Sequence, residues 1–193
     1  LDASQLLSMA RELDVQGDVA KNFSVIQQEL LNTGSVENVA LSDHTTIYGG
    51  NNTNSLTWQG KPADAKILIS TRYVTPEFMQ TSGIKVLEGR DFQTSDSANE
   101  NSKTFNVLIT KSFENLMGKE SAIGKTIRYE GDTTGVAAVV VGVVNDYVYG
   151  NMYGTPDPVL FVCTAPQNTT LMYVRTKPQT NIETTLSKIE AVM

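Results

Sequence analysis

The chain has a single cysteine, Cys163, so neither an internal disulfide framework nor a cysteine-based zinc site can form. With one thiol, the composition does not distinguish a reducing from an oxidising compartment. The single histidine, His44, leaves any imidazole-based metal site or nucleophile–base pair dependent on one residue. Positive charge is sparse: 15 Lys and Arg face 21 Asp and Glu, for a net charge of −6. With no Lys/Arg cluster to concentrate a positive field, a nucleic-acid partner is disfavoured. No apolar run approaches the ~20 residues that a helix needs to cross a bilayer, and no basic-plus-apolar leader opens the chain. The sequence begins at Leu1 and closes at Met193 inside an apolar-periodic stretch with no stop signal, so it reads as a soluble piece excised from a longer protein.

The 193 residues suffice for one ordinary domain or two small connected ones. Leu6 to Ala10 is short and apolar, either a strand or a first helical turn. Asp18 is placed to N-cap a helix whose Val19, Phe23, Ile26 and Leu30 share a face, with Gly34 ending it. Val36 to Leu41 reads as a strand. A polar stretch follows, from Asp43 to Lys61, centred on the Gly/Asn-rich run 49–54. Trp58, just beyond it, either plugs a local core or offers a contact to a partner.

Further strands are predicted over Lys66 to Ser70, Ile84 to Leu87, Val107 to Ile109, Val159 to Val162 and Leu171 to Thr176. Thr75-Pro76 should start a short helix ended by Gly83, and Thr110 should cap another that carries Phe113, Leu116 and Met117 inward. Val136 to Val144 is apolar on both faces and is expected to be a central, doubly covered strand. Thr180 and Glu183 form a candidate capping box for a last helix with Ile182, Leu186, Ile189 and Val192 on one face. Helical halves flanking a β-rich middle imply an α+β architecture with one subdomain inserted into another.

Few constellations suggest chemistry. Gly124-Lys125-Thr126 looks like the end of a phosphate-binding loop, and Asp146 after an apolar strand looks like a Mg²⁺-positioning carboxylate. The spacing fails, because the motif needs Gly at 119, which is Lys, and Ile127-Arg128-Tyr129 reads as a strand where a helix should open. A Cys163–His44 nucleophile pair is disfavoured by the apolar strand that carries the thiol. The carboxylate pairs Asp91 with Asp96 and Asp14 with Asp18 read as loop or cap acids. Tyr147, Tyr149 and Tyr153 could stack on a ligand, but packing at a strand end is the commoner role.

Several ordered segments carry a resemblance. They are residues 73–79, Gly83-Ile84, Leu87 to Phe92, Val107 to Thr110, Ala122 to Lys125 and Val141 to Tyr147, continuing to Val174-Arg175 and the final helix. In that order they resemble the MacB-type periplasmic core domain of FtsX-like ABC-transporter permeases. Within that family the chain is similar to the Bacteroidetes versions assigned to antimicrobial-peptide or macrolide export. The resemblance implies a porter-like subdomain of βαβ units, residues 1–42 and 157–193, truncated before its last strand. It implies a mostly β, sabre-like subdomain inserted at 43–156.

It further implies a non-catalytic domain without cofactor or metal at the periplasmic face of the bacterial inner membrane. Its partners would be its own transmembrane helices, a second permease copy, a cytoplasmic ATPase acting through the membrane, and a periplasmic adaptor or substrate. The alternative is a stand-alone binding module for a peptide or lipid-like ligand, which would need a deep apolar pocket. Tyr48, Asn52 and Trp58, in and beside the polar loop, are the candidate partner contacts.

Overall fold

A computed structural model describes residues 17–44, 51–97, 102–146, 156–178 and 180–193, together with the backbone of 6–10. Its strands are β1 (Leu6–Ala10), β2 (Val36–Ser42), β3 (Asn51–Thr53), β4 (Leu56–Trp58), β5 (Ile69–Val74), β6 (Val86–Gly89), β7 (Thr104–Thr110), β8 (Thr126–Tyr129), β9 (Ala137–Val144), β10 (Val159–Cys163) and β11 (Leu171–Thr176). The helices are α1 (Asp18–Lys21), α2 (Phe23–Asn32), α3 (Phe78–Ser82), α4 (Lys111–Leu116) and α5 (Ile182–Val192). All eleven strands join one mixed sheet, ordered β1-β11-β2-β5-β10-β7-β9-β8-β4, with β3 also on β5 and β6 also on β9. The α+β class expected from the sequence is therefore the observed one.

Alternation along the strands assigns three apolar clusters to the two faces. On one face, Phe78 and Met79 of α3 cover Ala40, Val74, Leu108, Phe161, Cys163 and Tyr173. On the other, α2 and α5 close over Val39, Leu41, Met172 and Val174. Farther along that second face, Phe113 and Met117 meet Trp58, Ile109, Ile127, Val140 and Leu160. The β9 run earns its apolar character: β7, β8 and β6 all pair with it, and five of its residues plus Gly142 are buried.

The link between β2 and β5 is narrow. Ser42 opposite Val74 is its one ladder pair, flanked by Asp43 N–H to Tyr73 O at 2.9 Å and Thr75 N–H to Leu41 O at 3.0 Å.

Several local expectations need correction. Asp18 does not cap: Gly17 holds that position, and the helix breaks at Asn22, whose side-chain amide donates to Asp18 O at 2.8 Å. Thr75 does not cap α3, because its hydroxyl accepts the N–H of Leu41 at 2.9 Å, and Glu77 takes the cap position. The strand predicted at Lys66 starts only at Ile69, with Leu68 exposed, and the one predicted at Ile84 is displaced to Val86–Gly89. Leu116 points outward from α4. For α5 the cap is Asn181, whose side chain accepts Thr184 N–H at 3.0 Å, rather than the Thr180/Glu183 box. Ile182 and Leu186 are exposed while Ile189 is fully buried, since only the later turns of α5 reach the cluster under α2.

Candidate functional site: a polar cleft above an apolar pocket

The ends of β2, β5 and β10 and the starts of β7 and β9 meet at one end of the sheet, because β7 runs antiparallel to β10 and parallel to β9. Between them lies an open cleft of about 800 Å³ whose walls include Asp43, His44, Asn51, Tyr73, Asn168 and Thr170. Asp43 is anchored tightly. Its Oδ1 accepts Tyr73 N–H at 3.0 Å, its carbonyl accepts the Thr170 hydroxyl at 2.6 Å, and its Oδ2 lies 2.8 Å from His44 Nδ1. Burial raises the Tyr73 phenol above its ordinary range, and negative charge on Tyr129 and Asp43 adds to the effect.

Tyr73, Phe105 and Val136 also form a wall of a second cavity, an apolar pocket of about 150 Å³ set between β4, β5, β7, β8, β9 and β10. Alternation explains its lining, since Thr71 and Tyr73, Ile127 and Tyr129, and Leu160 and Val162 each stand two residues apart on one face. In chemical terms the pair of cavities can bind. The Ser42 hydroxyl, two residues before His44, donates to the His44 carbonyl. Among the described residues no three His, Cys, Asp or Glu side chains converge as metal ligands.

The residues nominated from sequence fall elsewhere. Tyr48 lies outside the described residues, as do Asp14, Tyr147, Tyr149 and Tyr153. Asn52 is exposed on β3, its Oδ1 accepting the Ser70 hydroxyl at 2.6 Å. Trp58 is only 6% exposed, with its ring edge-on to Phe113 at 5.2 Å between centroids and the Lys61 ammonium 5.4 Å from its own centroid. Its indole is part of the core, as the packing reading of this residue expects.

The phosphate-loop likeness dissolves at the backbone. Gly124 N–H donates to Val140 O at 2.8 Å and Lys125 N–H to Ala122 O at 3.0 Å, so neither is available to cradle a phosphate. Asp146 instead accepts Ser112 N–H. Cys163 is fully buried beneath α3, and burial pushes its thiol up to about 12, the opposite of an activated nucleophile. Asp91 and Asp96 line neither cavity; Asp91 Oδ1 accepts Phe92 N–H, and Asp96 is held by Arg90. Sequence reasoning missed Asp43, Thr71 and Tyr73. The only available signal was an acid immediately past a strand end, and that is common in turns.

The fold has counterparts among solved structures. The periplasmic region of MacB from Actinobacillus actinomycetemcomitans is similar at 13% identity and a TM-score of 0.58, over 88% of this chain and 71% of that one. The extracellular domain of the noncanonic ABC-type transporter YknZ from Gram-positive bacteria is similar at 17% identity and a TM-score of 0.53, over 94% of this chain and 87% of that one. No curated protein sequence matches. The family model described as the MacB-like periplasmic core domain matches residues 4–192, nearly the whole chain. By that match, with a fold that agrees, the chain belongs to the MacB-like periplasmic core domain family, the periplasmic domains of ABC-transporter permeases.

Proposed function

We propose that this domain is a non-catalytic mechanical element, transmitting the cycle of a cytoplasmic ATPase, through flanking membrane helices, to substrate efflux or to a periplasmic partner. The single observation carrying the proposal is the family match over residues 4–192. The sheet supports it, because the strands on either side of the narrow β2–β5 link are joined by longer ladders, so each part can move as a stiff unit. Among the described residues no helix is long and apolar enough to cross a membrane, so force would have to enter from outside the described elements.

The one-pair link between β2 and β5 is where such a sheet would flex. We therefore place the first porter boundary at 42/43, within that link. The second, at 156/157, precedes β10, which ties the final segment to the middle of the sheet through β5 and β7. Asn52 stays exposed beside β5 and, with Tyr48, which lies outside the described residues, is the proposed partner contact.

The test is made in the reconstituted parent transporter. Replacing residues 17–193 by an unrelated domain should leave basal ATP hydrolysis and abolish export and its stimulation of hydrolysis. Undiminished export would refute the mechanical role.

A further inference from the structure

The apolar pocket contains a polar atom with nothing to bind. Thr71 is 4% exposed, its side chain lines the pocket, and its hydroxyl has no hydrogen-bond partner. Leaving a buried hydroxyl unsatisfied is unfavourable, and most such groups in folded proteins are paired. Around it stand Ile127 and Val162, and three aromatic side chains, Tyr73, Phe105 and Tyr129. Tyr129, half exposed, stands at the rim.

Size and chemistry define the guest. An apolar cavity of about 150 Å³ is the size that stays dry and accepts a benzene-sized molecule. Aromatic walls favour a flat ring, which can meet them edge-to-face or offset. The Thr71 hydroxyl can donate one hydrogen bond and accept others, so it selects a ring that carries a hydroxyl.

We propose that this pocket is a binding site for a small phenolic ring, seated against Tyr73, Phe105 and Tyr129 with its hydroxyl on Thr71 Oγ1. The pocket opens at half-exposed Tyr129, so the phenol can be a free molecule or the end of a larger one. The site does not depend on the mechanical role, and its test is independent of transport.

The experiment titrates phenol, benzene and N-acetyltyrosinamide into the full 193-residue chain, followed by NMR. Phenol should produce saturable shifts at Thr71, Tyr73, Ile127 and Ala138, and bind roughly five- to tenfold more tightly than benzene, the value of one net hydrogen bond. Thr71→Val should erase that difference. Ala138→Leu, which fills the pocket from β9, should abolish binding of both; Val136→Trp, at the partly exposed wall, does the same without burdening the core. N-acetyltyrosinamide binding more tightly than phenol supports the site with the ring supplied by a peptide, and weaker binding supports it with a free phenol. Absence of saturable shifts, equal affinity for phenol and benzene, or binding that survives both filling variants would overturn the proposal.

Discussion

Asp146 Oδ1 accepts the backbone N–H of Ser112 at 2.9 Å, so a carboxylate at the end of β9 caps a helix 34 residues earlier in the chain. The helix's own Thr110 cannot do this, because its hydroxyl accepts Val159 N–H at 2.9 Å and is shared with Ser112 Oγ. The one acid therefore stabilises α4 and ties the chain just past β9 to the helix that follows β7. Losing a cap costs about 1 kcal/mol. Asp146→Ala should lower unfolding stability by that amount in urea titrations, whereas Asp146→Asn, which keeps the acceptor, should recover most of it. Calorimetry with Mg²⁺-ATP should give no heat of binding for either variant or the parent chain.

Acid should weaken the domain through Asp96. Arg90 binds its carboxylate through two N–H groups at 2.6 and 3.0 Å, Asn106 donates at 2.6 Å and Gln93 N–H at 2.7 Å. Hydrogen bonding from Arg90 leads the shift that lowers its pKa to about 2. A depressed folded pKa contributes stability that is complete above the unfolded value near 4 and is lost as pH falls through 2. The contribution is on the order of 2 kcal/mol. Asp96→Asn should remove that part of the acid dependence between about pH 5 and pH 1, measured as urea midpoints across the range.

Much of this is legible in the sequence. The β9 run announced a doubly covered strand because both residue parities are apolar, and Gly83 and Gly34 stand at positive φ just past α3 and α2. Other features were hidden for a physical reason: their partners are remote. The Asp96 carboxylate is fixed by an arginine and an asparagine on different segments, and Asp146 serves a helix it does not adjoin in sequence. The pocket is assembled from six strands, each of which contributes one to three ordinary residues. Periodicity also marks which residues of α5 could be buried without saying how far its partner extends, and for this reason it places Ile182 and Leu186 inward where the structure exposes them.

Cys163 should be silent until the fold opens. Its side chain is fully buried and its thiol is held near 12, so the thiolate fraction at pH 8 is negligible. Ellman's reagent added to the native chain should give no reaction over minutes and one equivalent after addition of guanidinium. Rapid labelling of the native chain would contradict the packing beneath α3.

A methyl group at residue 142 has nowhere to go. A Cβ on Gly142 would sit 2.3 Å from Arg90 O and 2.6 Å from Leu108 Cδ2, both in the packed β6–β9–β7 region. Gly142→Ala should therefore destabilise by about 1–3 kcal/mol, as overpacking does, and this is measurable as a lower urea midpoint with an unchanged slope. Gly131→Ala meets no neighbour but must hold φ at +75°, so its smaller cost isolates backbone strain from crowding.

The position of β11 has a consequence for how the chain reaches this state. It pairs Leu6 with Arg175 on one side and Leu41 with Met172 on the other, so the first two strands made are joined by the last. At about 5–20 residues per second, a ribosome would leave β1 and β2 without their neighbour for on the order of ten seconds or more. During that interval the apolar face of α2 has only part of its cover, and two strand edges remain open to wrong partners. The sheet's first edge can therefore close only after β11 has emerged, and these long-range pairings carry the loop-closure cost that slows folding.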